Sequence, residues 1–310
     1  MRKRLLKGIM MIFMLCLMTG CGKTEADSVK EDASVSTEDK FQGEWVVDAA
    51  YATSKIGSED VLFVDGRGEG LAVLGTIKGA IATVWQDWSI TEGQQGDEKW
   101  GCIQEPEALS QTLGKLGITK DKEIILLGET LGGWGDDARL LWELLAAGYT
   151  NVKMVDGGYS AMKAYGADTQ MMASKPEPAE VTIDEIDYSH VMTTEELQAN
   201  YDKYKIVDVR TDEEYNGEIL HNEAKGGHLP GAIHIRYTDM FKEDGTLKSN
   251  ADLIKMFEDA GLTKEDEIVT YCTGGIRSSY TQLVLEMCGF EKSYNYDQSF
   301  WRWAVVGEVE

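Results

Sequence analysis

The amino-acid sequence carries the same succession of segments twice, and this repetition limits the possible fold more than any other feature of the chain. In the first copy the apolar run Val61-Leu62-Phe63-Val64 leads into Asp65-Gly66-Arg67 and then Gly75-Thr76-Ile77-Lys78-Gly79-Ala80-Ile81. In the second, Ile206-Val207-Asp208-Val209-Arg210 leads into Gly227-His228-Leu229-Pro230-Gly231-Ala232-Ile233. Leu116-Gly117-Ile118-Thr119 before Ile124 is matched by Ala260-Gly261-Leu262-Thr263 before Ile268, and Val155-Asp156-Gly157-Gly158-Tyr159 by Tyr296-Asp297-Gln298-Ser299-Phe300. Asp208 follows Asp65 by 143 residues, Ile268 follows Ile124 by 144, and Asp297 follows Asp156 by 141. So constant a spacing denotes two copies of one folding unit.

Within each copy, short apolar strands alternate with amphipathic helices; Leu253, Ile254 and Phe257, for example, share one helical face that ends near Gly261. That alternation predicts an α/β protein of two units, each a parallel sheet covered by helices on both faces. The polar stretch from Ala167 to Glu180, with Pro176 and Pro178, suits a connection. The expected division is a first unit at 41–166, a linker at 167–185 and a second unit at 186–310.

Chemistry is concentrated at Cys272-Thr273-Gly274-Gly275-Ile276-Arg277, which follows the apolar run Ile268 to Tyr271 and precedes a helical pattern from Ser278 to Cys288. A strand ending at a cysteine, a loop with two glycines and a helix start let several backbone N–H groups converge on one sulfur. The helix N-terminus adds positive partial charge. Both effects favour thiolate over thiol. Gly274 and Gly275 permit the backbone angles by which successive amides turn inward. The expected anion cradle comprises the amides of Thr273, Gly274, Gly275, Ile276 and Arg277. Cys288 falls with Val284 and Leu285 on an apolar helix side and reads as core; Cys102 has no assignment. No paired metal-ligand spacing occurs, His190, His221, His228 and His234 are not clustered like a zinc site, and no cofactor is implied.

Residues 1–20 read as a signal peptide, with Arg2, Lys3, Arg4 and Lys7 before the apolar stretch Ile9 to Met18, which is too short to span a bilayer. Leu17-Met18-Thr19-Gly20-Cys21 resembles a bacterial lipobox, which implies cleavage before Cys21 and acylation of its thiol. Residues 21–40 are acidic and almost free of large apolar side chains, so they read as a disordered tether. The expectation is an extracytoplasmic protein held to the cell membrane by its lipid alone. A formal net charge of −24 disfavours nucleic-acid partners.

Taken together, the Asp-x-Arg after a strand, the segment Gly227-His228-Leu229-Pro230-Gly231-Ala232, the cysteine loop and the closing aspartate-plus-aromatic segment resemble the rhodanese family, specifically its tandem-domain sulfurtransferases. The resemblance implies two rhodanese-like domains, of which only the second, with Cys272, is catalytic. The first has Leu127-Gly128-Glu129-Thr130 at the cysteine position and a longer loop through Gly132-Gly133-Trp134-Gly135. It further implies a Cys272 persulfide that carries sulfur from a small donor to a thiol or cyanide, with Arg210 and Arg277 near an anionic donor. Thr273 and Gly274 are neutral where thiosulfate-specific relatives carry basic residues, and Thr211-Asp212-Glu213-Glu214-Tyr215 is acidic where mercaptopyruvate-using relatives carry a second arginine. Thiosulfate is favoured as the smaller dianion, needing no clamp for a second carboxylate. The alternatives are a surface module that binds a persulfide or protein without turnover, and a phosphatase or arsenate reductase. The latter typically needs Cys-x5-Arg rather than the Cys-x4-Arg found here.

Overall fold

The computed structural model describes residues 39–310, and the expected signal peptide and Cys21 lie outside them. The strands are β1 (Val46–Val47), β2 (Val61–Asp65), β3 (Thr76–Ile77), β4 (Ile81–Ala82), β5 (Glu123–Leu127), β6 (Val152–Val155), β7 (Thr169–Gln170), β8 (Val191–Met192), β9 (Lys205–Asp208), β10 (Ile233–His234), β11 (Ile268–Tyr271) and β12 (Ser293–Tyr296). The helices are α1 (Ala49–Ser54), α2 (Glu69–Ala72), α3 (Pro106–Leu116), α4 (Asp136–Ala146), α5 (Gly158–Tyr165), α6 (Thr194–Ala199), α7 (Asp212–Tyr215), α8 (Asn250–Asp259), α9 (Ile276–Met287) and α10 (Ser299–Val306).

Two five-stranded parallel sheets result, in the orders β1-β6-β5-β2-β4 and β8-β12-β11-β9-β10. Strand for strand these are the same topology, so the α/β expectation of two like units holds. The middle strands β5 and β11 are buried along their whole length, as parallel strands covered on both faces must be, which explains why all but Glu123 and Thr270 in them are apolar or aromatic.

Local chemistry sets the helix starts. Asp48, Thr193 and Ser249 cap α1, α6 and α8 by accepting backbone N–H groups, and Thr211 with Glu214 forms a reciprocal capping box on α7. The segment expected as a linker does more than connect. Its Thr169–Gln170 strand pairs antiparallel with β3, and farther on it lies against α3, with Ala179 N–H donating to the Gly114 carbonyl and Ile183 N–H to Ser110 Oγ. Gly114 and Gly117 make this possible, since a Cβ at either would press into the carbonyls of Ala179 and Glu177.

Across the two units α4 packs along α9, and one apolar core runs from Leu126 and Leu140 through Val207 to Leu283 and Val284. A reciprocal polar contact accompanies it. Antiparallel bridges Ser89–Ile103 and Phe241–Leu247 close a loop in each unit. The Ile103 N–H donates to Asp297 (3.1 Å) and the Leu247 N–H to Asp156 (2.7 Å), so each unit's loop binds the other's closing aspartate.

Candidate active site

Cys272 follows β11 directly, and α9 begins four residues later behind Gly275, whose φ of 88° is left-handed. Parallel sheets gather ligand-binding groups outside the carboxyl ends of their strands. The register pairs Tyr271 with Asp208, so whatever follows β9 emerges beside the cysteine loop. The loop is held from several sides: Cys272 N–H donates to Ser299 Oγ (3.2 Å), Phe300 N–H to the Cys272 carbonyl (3.1 Å), and Trp301 N–H to the Thr273 carbonyl (3.0 Å). Gly274 is obligatory because a Cβ there would run into the Trp301 ring, and Gly275 because a Cβ would meet the Asp297 carbonyl and the Arg139 guanidinium.

The Cys272 sulfur is 1% exposed and accepts the Gly275 N–H at 3.2 Å. Ser278 Oγ stands 3.6 Å from it but makes its shorter bond to Asn295 Oδ1 (2.6 Å). Burial alone would raise the thiol pKa; the Arg277 charge, the Ser278 hydrogen bonds and the Gly274 N–H outweigh it, and the net shift is downward. The other two cysteines move the opposite way. Burial pushes Cys288 up to about 12 and raises Cys102 as well, and Cys288 lies in the core. Of the five amides expected around the sulfur, Gly275 is bonded to it and Gly274 acts on it, while Ser278 contributes one more. Thr273 and Arg277 act through side chains, and Ile276 forms wall.

A carboxylate dominates the rest of the site. Glu214, on the first turn of α7, accepts Arg277 Nη1 and Nη2 at 2.7 and 2.8 Å and the Thr273 hydroxyl at 2.6 Å. Arg277 Nη2 also reaches Thr273 Oγ1 at 2.8 Å. Burial works against the charge on Glu214, but these partners outweigh it and hold its carboxyl down to about 2. His221 Nε2 faces the same carboxylate at 3.7 Å. Thr273, Arg277 and His221, with Trp134, Gly274, Ile276 and Trp301, close a cavity of about 20 Å³ over Cys272, and Glu214 stands behind Thr273 and Arg277. That is space for roughly one water-sized group. Trp134 is 47% exposed and stacks edge-on against His221, so an aromatic from the first unit stands at the mouth.

The expected role of Arg210 needs correction. Its guanidinium is buried, doubly bonded to Asp208 (2.7–3.1 Å), donates to the Gly227 carbonyl (2.7 Å), lies over the Phe300 ring and does not line the cavity. Arg67 does the same in the first unit, on Asp65, the Gly75 carbonyl and the Tyr159 ring. That unit has Gly128 and no cysteine at the matching corner, so the shared arrangement is a brace between strand end and helix, not a donor contact.

Support also crosses between the units. Arg139 of α4 is fully buried; it binds Glu143 (2.6 Å), Asp297 (2.5 Å) and the Gly101 carbonyl (2.9 Å), and reaches the Gly275 carbonyl at 3.5 Å. It thus steadies the peptide next to the one that donates to the sulfur. In the first unit Gly128 occupies the cysteine position, Gly135 (φ 76°) the helix cap and Asp137 the place of Arg277. The Asp137 carboxylate sits where a side chain at Gly128 would project.

The rhodanese-like domain model matches residues 48–165 and 193–305. A putative thiosulfate sulfurtransferase of Mycolicibacterium smegmatis is 30% identical over 276 residues, covering 85% of this chain and 95% of that protein. A thiosulfate sulfurtransferase of Corynebacterium glutamicum is 26% identical, covering 84% and 87%. Among solved structures, the anaerobic ergothioneine biosynthesis enzyme of Chlorobium limicola superposes with a TM-score of 0.75 at 19% identity, covering 86% of this chain and 70% of that one, a likeness of fold. The chain belongs to the rhodanese-like domain family, with two domains in tandem.

Proposed function

We propose that the protein is a sulfurtransferase in which Cys272 takes the terminal sulfur of a small donor, holds it as a persulfide and releases it to a thiol or cyanide. The observation that carries this reading is the Cys272 sulfur itself. It is hydrogen-bonded by Gly275, shifted toward thiolate, and placed under a cavity with room for about one more atom. The thiolate attacks the outer sulfur of the donor, the donor's S–S bond breaks, and its remainder leaves with the electron pair. The cradle then faces the negative end of the persulfide as it faced the thiolate. Relatives named thiosulfate sulfurtransferases support the same reaction type and make thiosulfate the reference donor. The compact loop and the carboxylate on Arg277 speak against a phosphatase, which needs that arginine free for phosphate.

Intact-protein mass spectrometry before and after incubation with a donor tests the reading. The expected result is a gain of one sulfur that cyanide removes and that Cys272→Ser abolishes; a gain retained by Cys272→Ser, or no gain from any donor, rejects it and leaves a binding module. Export and lipid attachment at Cys21 belong to this proposal and rest on the sequence of residues 1–21. Incorporation of labelled fatty acid into the wild type but not into Cys21→Ser is the expected outcome.

A further inference from the structure

The charges around Cys272 bear on which donors it can use. Arg277 is the one arginine or lysine among the residues that line the cavity, and both of its terminal nitrogens are bound to Glu214. His221 also faces Glu214, and Arg210 is bound to Asp208 away from the cavity. With Cys272 as thiolate, one cation therefore stands against two anions, on a chain whose formal charge is −24. A dianion approaching the sulfur from solvent meets net repulsion, strongest at low ionic strength. The walls are apolar instead: Ile276 and the Trp301 ring line the interior, and half-exposed Trp134 stands at the opening.

Resting on the sulfurtransferase reading above, we propose that Glu214 is a specificity residue. By neutralising Arg277 it turns the site away from dianionic thiosulfate and toward organic sulfane donors that carry one negative charge and an apolar group, the group lying against Trp134. Thiosulfonates (R–SO2–S⁻) and organic persulfides (R–S–S⁻) share this chemistry. For a thiosulfonate the Cys272 sulfur bonds to the terminal sulfur, the S–S bond breaks and the sulfinate R–SO2⁻ departs with the electron pair. Two negative charges enter as thiolate and donor, and two leave as persulfide and sulfinate. For a persulfide the departing group is the thiolate R–S⁻. The expected preference for thiosulfate as the smaller dianion, with Arg210 and Arg277 near it, meets two arginines that are each bound to a carboxylate.

Benzenethiosulfonate and thiosulfate differ mainly in replacement of one charged oxygen by a phenyl ring, which makes them a matched pair. In wild-type protein, kcat/KM for loading Cys272, read by mass spectrometry, should favour benzenethiosulfonate by about tenfold or more. Glu214→Gln should raise the value for thiosulfate by about tenfold and narrow the ratio. Because Glu214 also caps α7, a second measurement uses the wild type alone: raising ionic strength should speed loading from thiosulfate more than from benzenethiosulfonate. Wild type that loads equally well or better from thiosulfate, or a ratio indifferent to both Glu214→Gln and salt, overturns the specificity role and leaves the sulfurtransferase standing. If neither donor loads Cys272, the sulfurtransferase reading falls and this inference with it.

Discussion

At the second position of the helix that follows the sheet's middle strand, one half of the molecule carries Arg277 and the other Asp137. The corners are otherwise alike. Each helix starts from a left-handed glycine, and the backbone N–H of the second residue of α10 or α5 binds the carbonyl of the residue after the strand, Phe300 to Cys272 and Tyr159 to Gly128. In the second half the cradle holds a sulfur with a cation nearby. In the first half it holds its own carboxylate, and the space a nucleophile needs is filled from within. What the two corners share belongs to the common scaffold, and the thiol and the cation are what the second adds to it.

The largest effect expected from disturbing this division is at Arg139, where the first half reaches into the Cys272 corner of the second. Arg139→Met leaves Glu143 and Asp297 as buried charges without their partner and should cost about 3–5 kcal/mol in denaturant unfolding. The rate at which iodoacetamide alkylates Cys272 should also shift to higher pH, which a loss of global stability alone does not cause. An unchanged alkylation profile would show that the two halves are mechanically joined but chemically independent.

Gly128 tests the plugged corner. Gly128→Ala should lose about 1–3 kcal/mol, because its Cβ displaces the Asp137 carboxylate. Gly128→Cys in a Cys272→Ser background should take up no sulfur, and uptake there would mean that the first half kept a working cradle. The pH dependence of stability should distinguish the corners too. Burial pushes Asp137 up to about 7 from its ordinary 3.8. Its contribution is therefore intact below pH 3.8 and is lost as pH rises toward 7, by up to about 1.4 kcal/mol per unit. Glu214, held at about 2, behaves oppositely: its contribution is full above pH 4.5 and is lost as pH falls toward 2. Urea midpoints across pH should show Asp137→Asn flattening the neutral limb and Glu214→Gln flattening the acid limb.

The smallest expected effect is at Ser299, whose φ is 52° and whose hydroxyl takes the Cys272 N–H; its counterpart is Gly158, with φ 59°. Ser299→Ala should cost about 1 kcal/mol, and the first half already does without this bond.

The repeat, the parallel sheets and the cysteine corner were legible because they depend on short-range pattern: apolar runs, glycines and a strand that stops at a cysteine. The partners of that corner were not. Glu214 lies 63 residues from Arg277 and Arg139 lies 158 from Asp297, and both contacts follow from how strands and helices pack rather than from any local spacing. A signal for Glu214 existed in the Thr211-x-x-Glu214 capping box placed just after β9. Arg210 was misassigned although its correction was in the sequence as well. The same Asp-x-Arg stands at Asp65 and Arg67, in the half that has Gly128 where the other has Cys272.

The two aspartates that accept each other's loops, Asp156 from Leu247 and Asp297 from Ile103, give the molecule the self-complementary interface of a homodimer written into one polypeptide. In a true homodimer any change to one protomer is imposed on both. Fusion lifts that restriction, and it holds the partner surface at an effective concentration no dissociating subunit can match. A half with Gly128 at that corner can then still serve as partner to the half with Cys272.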